Sequence, residues 1–128
     1  MMLISTGGML RTAVEVADQL AVQGVSAHVL SLHTVALDAK AVRVAAKETR
    51  LLATVEEHRV YGGLGSAVAE VLAGEKNLRA PLLRFAVADN IHKSVGSQSF
   101  CLETSGLSVH DLVEAICDSF VRGKRCEK

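Results

Sequence analysis

LLATVEEHRVYGGLGSAVAEVLA, residues 51–73, is the stretch that decides the fold. Its first six residues, LLATVE at 51–56, form an apolar run of strand length. Gly62, Gly63 and Gly65 then punctuate the chain. From Gly62 to Leu72 the residues Leu64, Val68, Val71 and Leu72 recur at helical steps and share one side of a helix. A strand that passes through glycines into a helix, with further strands on either side, belongs to a parallel α/β arrangement.

Moving toward the N-terminus, Met2–Thr6 (MLIST) reads as a buried strand turning at Gly7-Gly8. Met9–Gln23 follows as a helix whose inward face carries Leu10, Ala13, Val14, Ala17, Leu20 and Ala21, with Gly24 as a left-handed C-cap. Val25–Leu32 is the second strand. Asp38 caps a helix over Ala39–Thr49 with Ala41, Val42, Ala45 and Ala46 inward. Toward the C-terminus, Pro81 introduces a fourth strand, LLRFAV at 82–87. Residues 88–107 lose periodicity, which in a compact domain marks a functional loop or a short helix without an apolar stripe. Ser108 and Asp111 resemble a capping box, and Leu112, Val113, Ile116, Cys117 and Phe120 line the last helix. The order β-α-β-α-β-α-β predicts an open α/β sandwich with a mostly parallel sheet and helices on both faces.

Composition narrows the function classes. One domain fits 128 residues, 49% of them hydrophobic. Tyr61, Phe85, Phe100 and Phe120 are the whole aromatic complement, which argues against base-stacking platforms. Fourteen basic residues balance fourteen acidic ones, so no net field draws the chain to nucleic acid or an anionic membrane. There is no apolar run of about 20 residues, and MMLISTGG lacks the features of a signal peptide. Cys101, Cys117 and Cys126 show no CxxC spacing and suit free thiols in a reducing compartment. These features read together as a soluble, cytoplasmic chain.

In a parallel sheet the residues just after each strand reach one edge, where ligands tend to bind. Here they are Ser5, Thr6, His33, Thr34, Glu56, Glu57, His58 and Asp89. Glu57 beside His58 offers a carboxylate and an imidazole for proton transfer. Neighbours on a strand point to opposite faces, so a direct pair needs a turn to reorient one of them. A metal site would draw on His33, His58, His92, Glu57 and Asp89, although no HxH or HExxH spacing is present. The turn at Gly62, Gly63 and Gly65 has two readings: an anion site on free helix N–H groups, or a tight turn that lets the helix pack closely. Gly7-Gly8 reads as a tight turn. No nucleophile elbow surrounds any Ser or Cys.

Taken in order, LISTGG at 3–8, VLSLHTVALD at 29–38, AAKET at 45–49, TVEEH at 54–58, GGLGSAVAEVLA at 62–73 and GLSVHDLVEAI at 106–116 resemble the C-terminal domain of transketolase. The resemblance covers nearly the whole chain. Related domains end 1-deoxyxylulose-5-phosphate synthases and the β subunits of pyruvate-type dehydrogenases. It implies a three-layer α/β/α domain at 1–122 and a basic tail at 123–128. It also implies a place in a thiamine-diphosphate enzyme that moves two-carbon ketol units between sugar phosphates. In that family the diphosphate and magnesium are held by other domains, so no catalytic, cofactor or metal residue is carried onto this chain. Thiamine diphosphate and Mg are expected in the complete enzyme only. His33, Thr34, Glu57, His58, Gly62, Gly63, Gly65 and Asp89 are marked as family-motif or interface positions. The expected partners are a second copy of the chain, the N-terminal and middle domains, or both.

Two segments depart from the family pattern. Thr34-Val35-Ala36-Leu37-Asp38 is one residue shorter than usual and lacks a proline, and Asp89 is followed by Asn90 and Ile91 instead of an aromatic. The family sheet also has an antiparallel strand ahead of the point where this sequence begins. Two accounts fit the length: a domain of a longer enzyme or a separately encoded part of a split one. A small-anion or nucleotide-binding regulatory module is the alternative function, motivated by the glycine-rich helix starts.

Overall fold

The computed structural model describes residues 1–34, 37–76, 80–88 and 95–123, with side chains of the last helix described through Phe120. Four strands are formed: β1 (Met2–Ser5), β2 (His28–Ser31), β3 (Leu52–Arg59) and β4 (Leu82–Val87). The helices are α1 (Leu10–Val22), α2 (Ala39–Glu48), α3 (Leu64–Ala73), α4 (Gln98–Thr104) and α5 (Val109–Gly123). The sheet order is β2-β1-β3-β4 and every pairing is parallel. Strand order therefore reverses between β1 and β3, and the crevice beyond their carboxyl ends is where such sheets commonly place a site.

Alternation along the strands splits the core into two layers. Leu3, Ala53 and Val55 pack with Val16 and Leu20 of α1 and with Leu112 and Ile116 of α5. Ile4 and Leu52 face the other way, onto Val42 and Ala46 of α2 and Leu64 and Val68 of α3. Helices cover both faces, giving the three-layer sandwich. Central strand β3 is buried from Leu52 to Glu56, whereas β2 and β4 at the edges are at most half-buried. Among the described residues no helix is long and apolar enough to cross a membrane.

Local chemistry explains the element ends. Gly24, at φ 79°, closes α1, with Gly24 N–H donating to Ala21 O at 3.0 Å and Val25 N–H to Leu20 O at 2.9 Å. This is the paired-bond stop that a left-handed glycine permits, and Leu20 and Val25 add its apolar contact. Helix α1 ends at Val22, and β2 starts at His28, three residues after the expected Val25. The inward face of α1 is rotated from the expected one: Val16 is fully buried, while Val14 is 44% exposed. The buried set Met9, Ala13, Val16 and Leu20 keeps strict four-, three- and four-residue steps, which suits the helix axis better than the 13–14 pair.

Asp38 caps α2 as expected, its Oδ1 accepting from Lys40 N–H at 3.0 Å and Ala41 N–H at 3.2 Å. Asp38→Ala is expected to lower stability by about 1 kcal/mol, a fall of roughly 4 °C in melting temperature measurable by circular dichroism. An unchanged melt would refute the cap. Ser108 accepts Asp111 N–H at 3.2 Å, but its hydroxyl then donates to Asp111 Oδ2 at 2.5 Å. Aspartate is one methylene shorter than the glutamate of a full capping box and bonds the serine side chain.

Within 88–107, α4 is the short helix that periodicity could not reveal. Ser97 Oγ caps it by accepting Phe100 N–H at 3.3 Å. It stops at Gly106 (φ 67°), where Gly106 N–H reaches Glu103 O at 3.1 Å and Leu107 N–H reaches Leu102 O at 2.9 Å. No residue of α4 is buried, so no apolar stripe could betray it.

Candidate functional site

The carboxyl end of β3 gathers the residues of interest. Val55 pairs with Phe85 and Arg59 with Val87, so β3 advances four residues where β4 advances two. The irregularity falls on Glu56, Glu57 and His58, whose side chains still alternate: Glu56 and His58 lie near Gly63 and Glu57 near Gly8.

Glu56 follows Leu52 and Thr54 onto the α3 side. It is 1% exposed, and its carboxylate lies across the start of α3. Oε2 accepts from Leu64 N–H at 2.6 Å and Oε1 from Gly65 N–H at 2.7 Å. These are short, charge-assisted bonds at the positive end of a helix dipole, and they satisfy amides that the helix cannot satisfy itself. Of the two readings of the glycine turn, the tight turn is formed, and its helix N–H groups are met by the protein's own carboxylate.

Each glycine of the turn has a distinct task. Gly62 sits at φ 79°, where a side chain is strained. A Cβ on Gly63 would lie 1.9 Å from Glu56 Oε2. A Cβ on Gly65 would lie 2.7 Å from Arg84 Nε and 2.9 Å from Thr54 Oγ1. The loop is also stitched to β4. Arg84 Nη2 donates to Val60 O and, at 3.0 Å, to Ser66 Oγ. Ser66 Oγ in turn accepts Gly62 N–H at 3.0 Å and donates to Val60 O at 3.2 Å. Thr54 Oγ1 and Arg84 Nε have no hydrogen-bond partner among the described residues.

Glu57 turns to the α1 side and is exposed. Its Oε1 accepts from Gln98 Nε2 at 2.5 Å, and Oε2 lies 3.1 Å from where a Cβ on Gly8 would stand. His58 goes the other way: its Nδ1 is 3.2 Å from Arg59 O and 3.0 Å from a Cβ position on Gly63. The acid–base pair of Glu57 and His58 is therefore not assembled, for the reason that strand alternation dictates. His33 and Thr34 are exposed beyond β2. Asp89 and His92, like the 35–36 and 89–91 departures, lie outside the described residues. Among the described residues no three His, Cys, Asp or Glu side chains converge as metal ligands. Arg84, Ser66 and Gln98 escaped the sequence reading. The lone charge inside LLRFAV was the available signal for Arg84.

Comparison with known proteins places this geometry. The family model for the transketolase C-terminal domain matches residues 1–111. The chain belongs to the transketolase C-terminal domain family. It is 40% identical over 114 residues to a 6-deoxy-6-sulfo-D-fructose transketolase subunit of Clostridium sp. (strain MSTE9), covering 88% of this chain and 34% of that protein. A 1-deoxy-D-xylulose-5-phosphate synthase of Pelotomaculum thermopropionicum is 32% identical over 129 residues, covering 98% of this chain and 20% of the synthase. Among solved structures, a split gene transketolase described as an inactive beta4 tetramer superposes with a TM-score of 0.81 at 34% identity. That match covers 91% of this chain and 38% of the other. The chain thus spans between 20% and 38% of the length of these three proteins. Its GGLG turn is a helix start held by an internal carboxylate.

Proposed function

We propose that this chain is a non-catalytic assembly domain, or the separately encoded C-terminal part, of a cytoplasmic thiamine-diphosphate enzyme that transfers two-carbon ketol units between sugar phosphates. The observation that carries the reading is the 91% coverage by a split gene transketolase chain of which this domain matches only 38%. The site chemistry supports it. A diphosphate approaching the start of α3 would meet the Glu56 carboxylate, and one approaching Gly8 would meet Glu57. Like charges repel, so neither turn is suited to the cofactor, and no step of ketol transfer is assigned to this chain. The same repulsion disfavours the alternative of a phosphate- or nucleotide-binding module.

Apolar surface remains for partners. Val22 is 89% exposed and Tyr61 74%, and the edge strand β4 is only half-buried. A homodimer, the N-terminal and middle domains of such an enzyme, or both would cover such surface. The test is a ketol-transfer assay with sugar phosphates, thiamine diphosphate and Mg, using this chain alone and then with a chain that binds the cofactor. No turnover alone and turnover with co-purification in the mixture are expected. Turnover by the isolated chain would overturn the reading, as would a clean monomer by sedimentation in the presence of that partner.

A further inference from the structure

We propose that α4 is a latched flap across the carboxyl ends of β1 and β3, held down by the Gln98–Glu57 hydrogen bond and able to lift while the sheet stays folded. None of its seven residues is buried, in contrast to α1, α2 and α3, each of which buries at least three. Its largest apolar side chain, Phe100, is 41% exposed and lies on its own leader segment: a Cβ on Gly96 would come within 2.3 Å of Phe100 Cδ1. Apart from that of Gln98, the described side-chain polar contacts of the segment are internal. Ser97 Oγ accepts Phe100 N–H at 3.3 Å, Thr104 Oγ1 donates to Phe100 O at 2.9 Å, and Ser105 Oγ donates to Cys101 O at 2.6 Å. The segment is thereby a small unit closed on itself.

Its two ends are held very differently. At the C-terminal end, the Gly106 stop delivers Leu107, 1% exposed, into the core beside the half-buried Leu102. At the other end the described tie is Gln98 Nε2 to Glu57 Oε1 at 2.5 Å, an exposed contact that spans 41 residues of sequence. Gln98 Nε2 also lies 3.6 Å from the Cβ position of Gly8, which places the latch over the β1–β3 crevice. Segments with few buried apolar contacts open at far lower free energy than the core. Lifting α4 about Leu107 moves Gln98 away from the exposed Gly8 and frees the Glu57 carboxylate, at the point where strand order reverses.

Hydrogen exchange by mass spectrometry on the full chain, on Glu57→Ala and on Gln98→Ala tests this, comparing peptides over 97–105 with peptides from β1 and β3. In the parent chain the 97–105 amides are expected to exchange faster than those of the sheet. In both variants they are expected to exchange a further three- to tenfold faster, about the ratio one net hydrogen bond supplies, while β1 and β3 stay slower than α4 in every chain. Exchange of α4 in step with the sheet in the parent chain, or an unchanged α4 rate in either variant, would overturn the proposal.

Discussion

Glu56→Ala is expected to be the most damaging single substitution among the charged residues, lowering stability by about 3 kcal/mol. The side chain is 1% exposed and accepts two backbone N–H groups at 2.6 and 2.7 Å. Alanine leaves both amides buried without an acceptor and removes the negative charge from the start of α3. For a domain of this size the melting temperature should fall by roughly 10 °C. Glu56→Gln should fall between the parent and alanine, because its amide oxygen serves one N–H while its NH₂ opposes the other. Glu57→Ala, one residue on, should cost only about 1 kcal/mol, since its carboxylate is exposed and accepts one side-chain bond from Gln98. Equal effects at the two positions would show that the division of labour between them is wrong.

Gly63→Ala is expected to approach the same loss, about 2–3 kcal/mol, through the same carboxylate. The added methyl would stand 1.9 Å from Glu56 Oε2, and that carboxylate is pinned between the strand and two amides. Gly63 itself, at φ −92°, has a backbone any residue adopts, so the effect is steric and depends on Glu56. A double-mutant cycle exposes this: in a Glu56→Ala background, Gly63→Ala should lose most of its effect. Gly62→Ala, at φ 79° with no atom within 4 Å of its Cβ position, should instead show about 1 kcal/mol of backbone strain in either background. Chemical denaturation of the four chains in each cycle decides it. Additive losses for Gly63 and Glu56 would remove the carboxylate clash as the cause.

Much of the fold was legible in the sequence because its signals are local. The apolar faces of α2, α3 and α5, the caps at Asp38 and Gly24, and the strand at 82–87 depend on residues three or four apart. What escaped depends on pairing between distant segments. Alternation puts Glu56 on the face of Leu52 and Thr54, but its meeting with the first amides of α3 depends on how α3 packs back on β3, which no run of residues discloses. Arg84 reaches Val60 and Ser66 across 24 and 18 residues, and Gln98 reaches Glu57 across 41. For the glycine turn the sequence offered an anion site or a tight turn, and the structure contains parts of both: a tight turn whose anion is internal. Helix α4 was hidden for a different reason, since a helix that buries nothing leaves no hydrophobic period to read.

The irregular end of β3 also bears on how insertions and deletions would be tolerated. A slip of one residue in a strand ordinarily turns every side chain to the wrong face. Here Glu56 and Glu57 are identical neighbours at the point where β3 already runs ahead of β4 by two residues. If Glu56 or Glu57 were lost, a glutamate would still stand at the position that serves the amides of α3. The tandem acids act as a spare: the helix start keeps its counter-charge, and the latch on α4 is what would be given up.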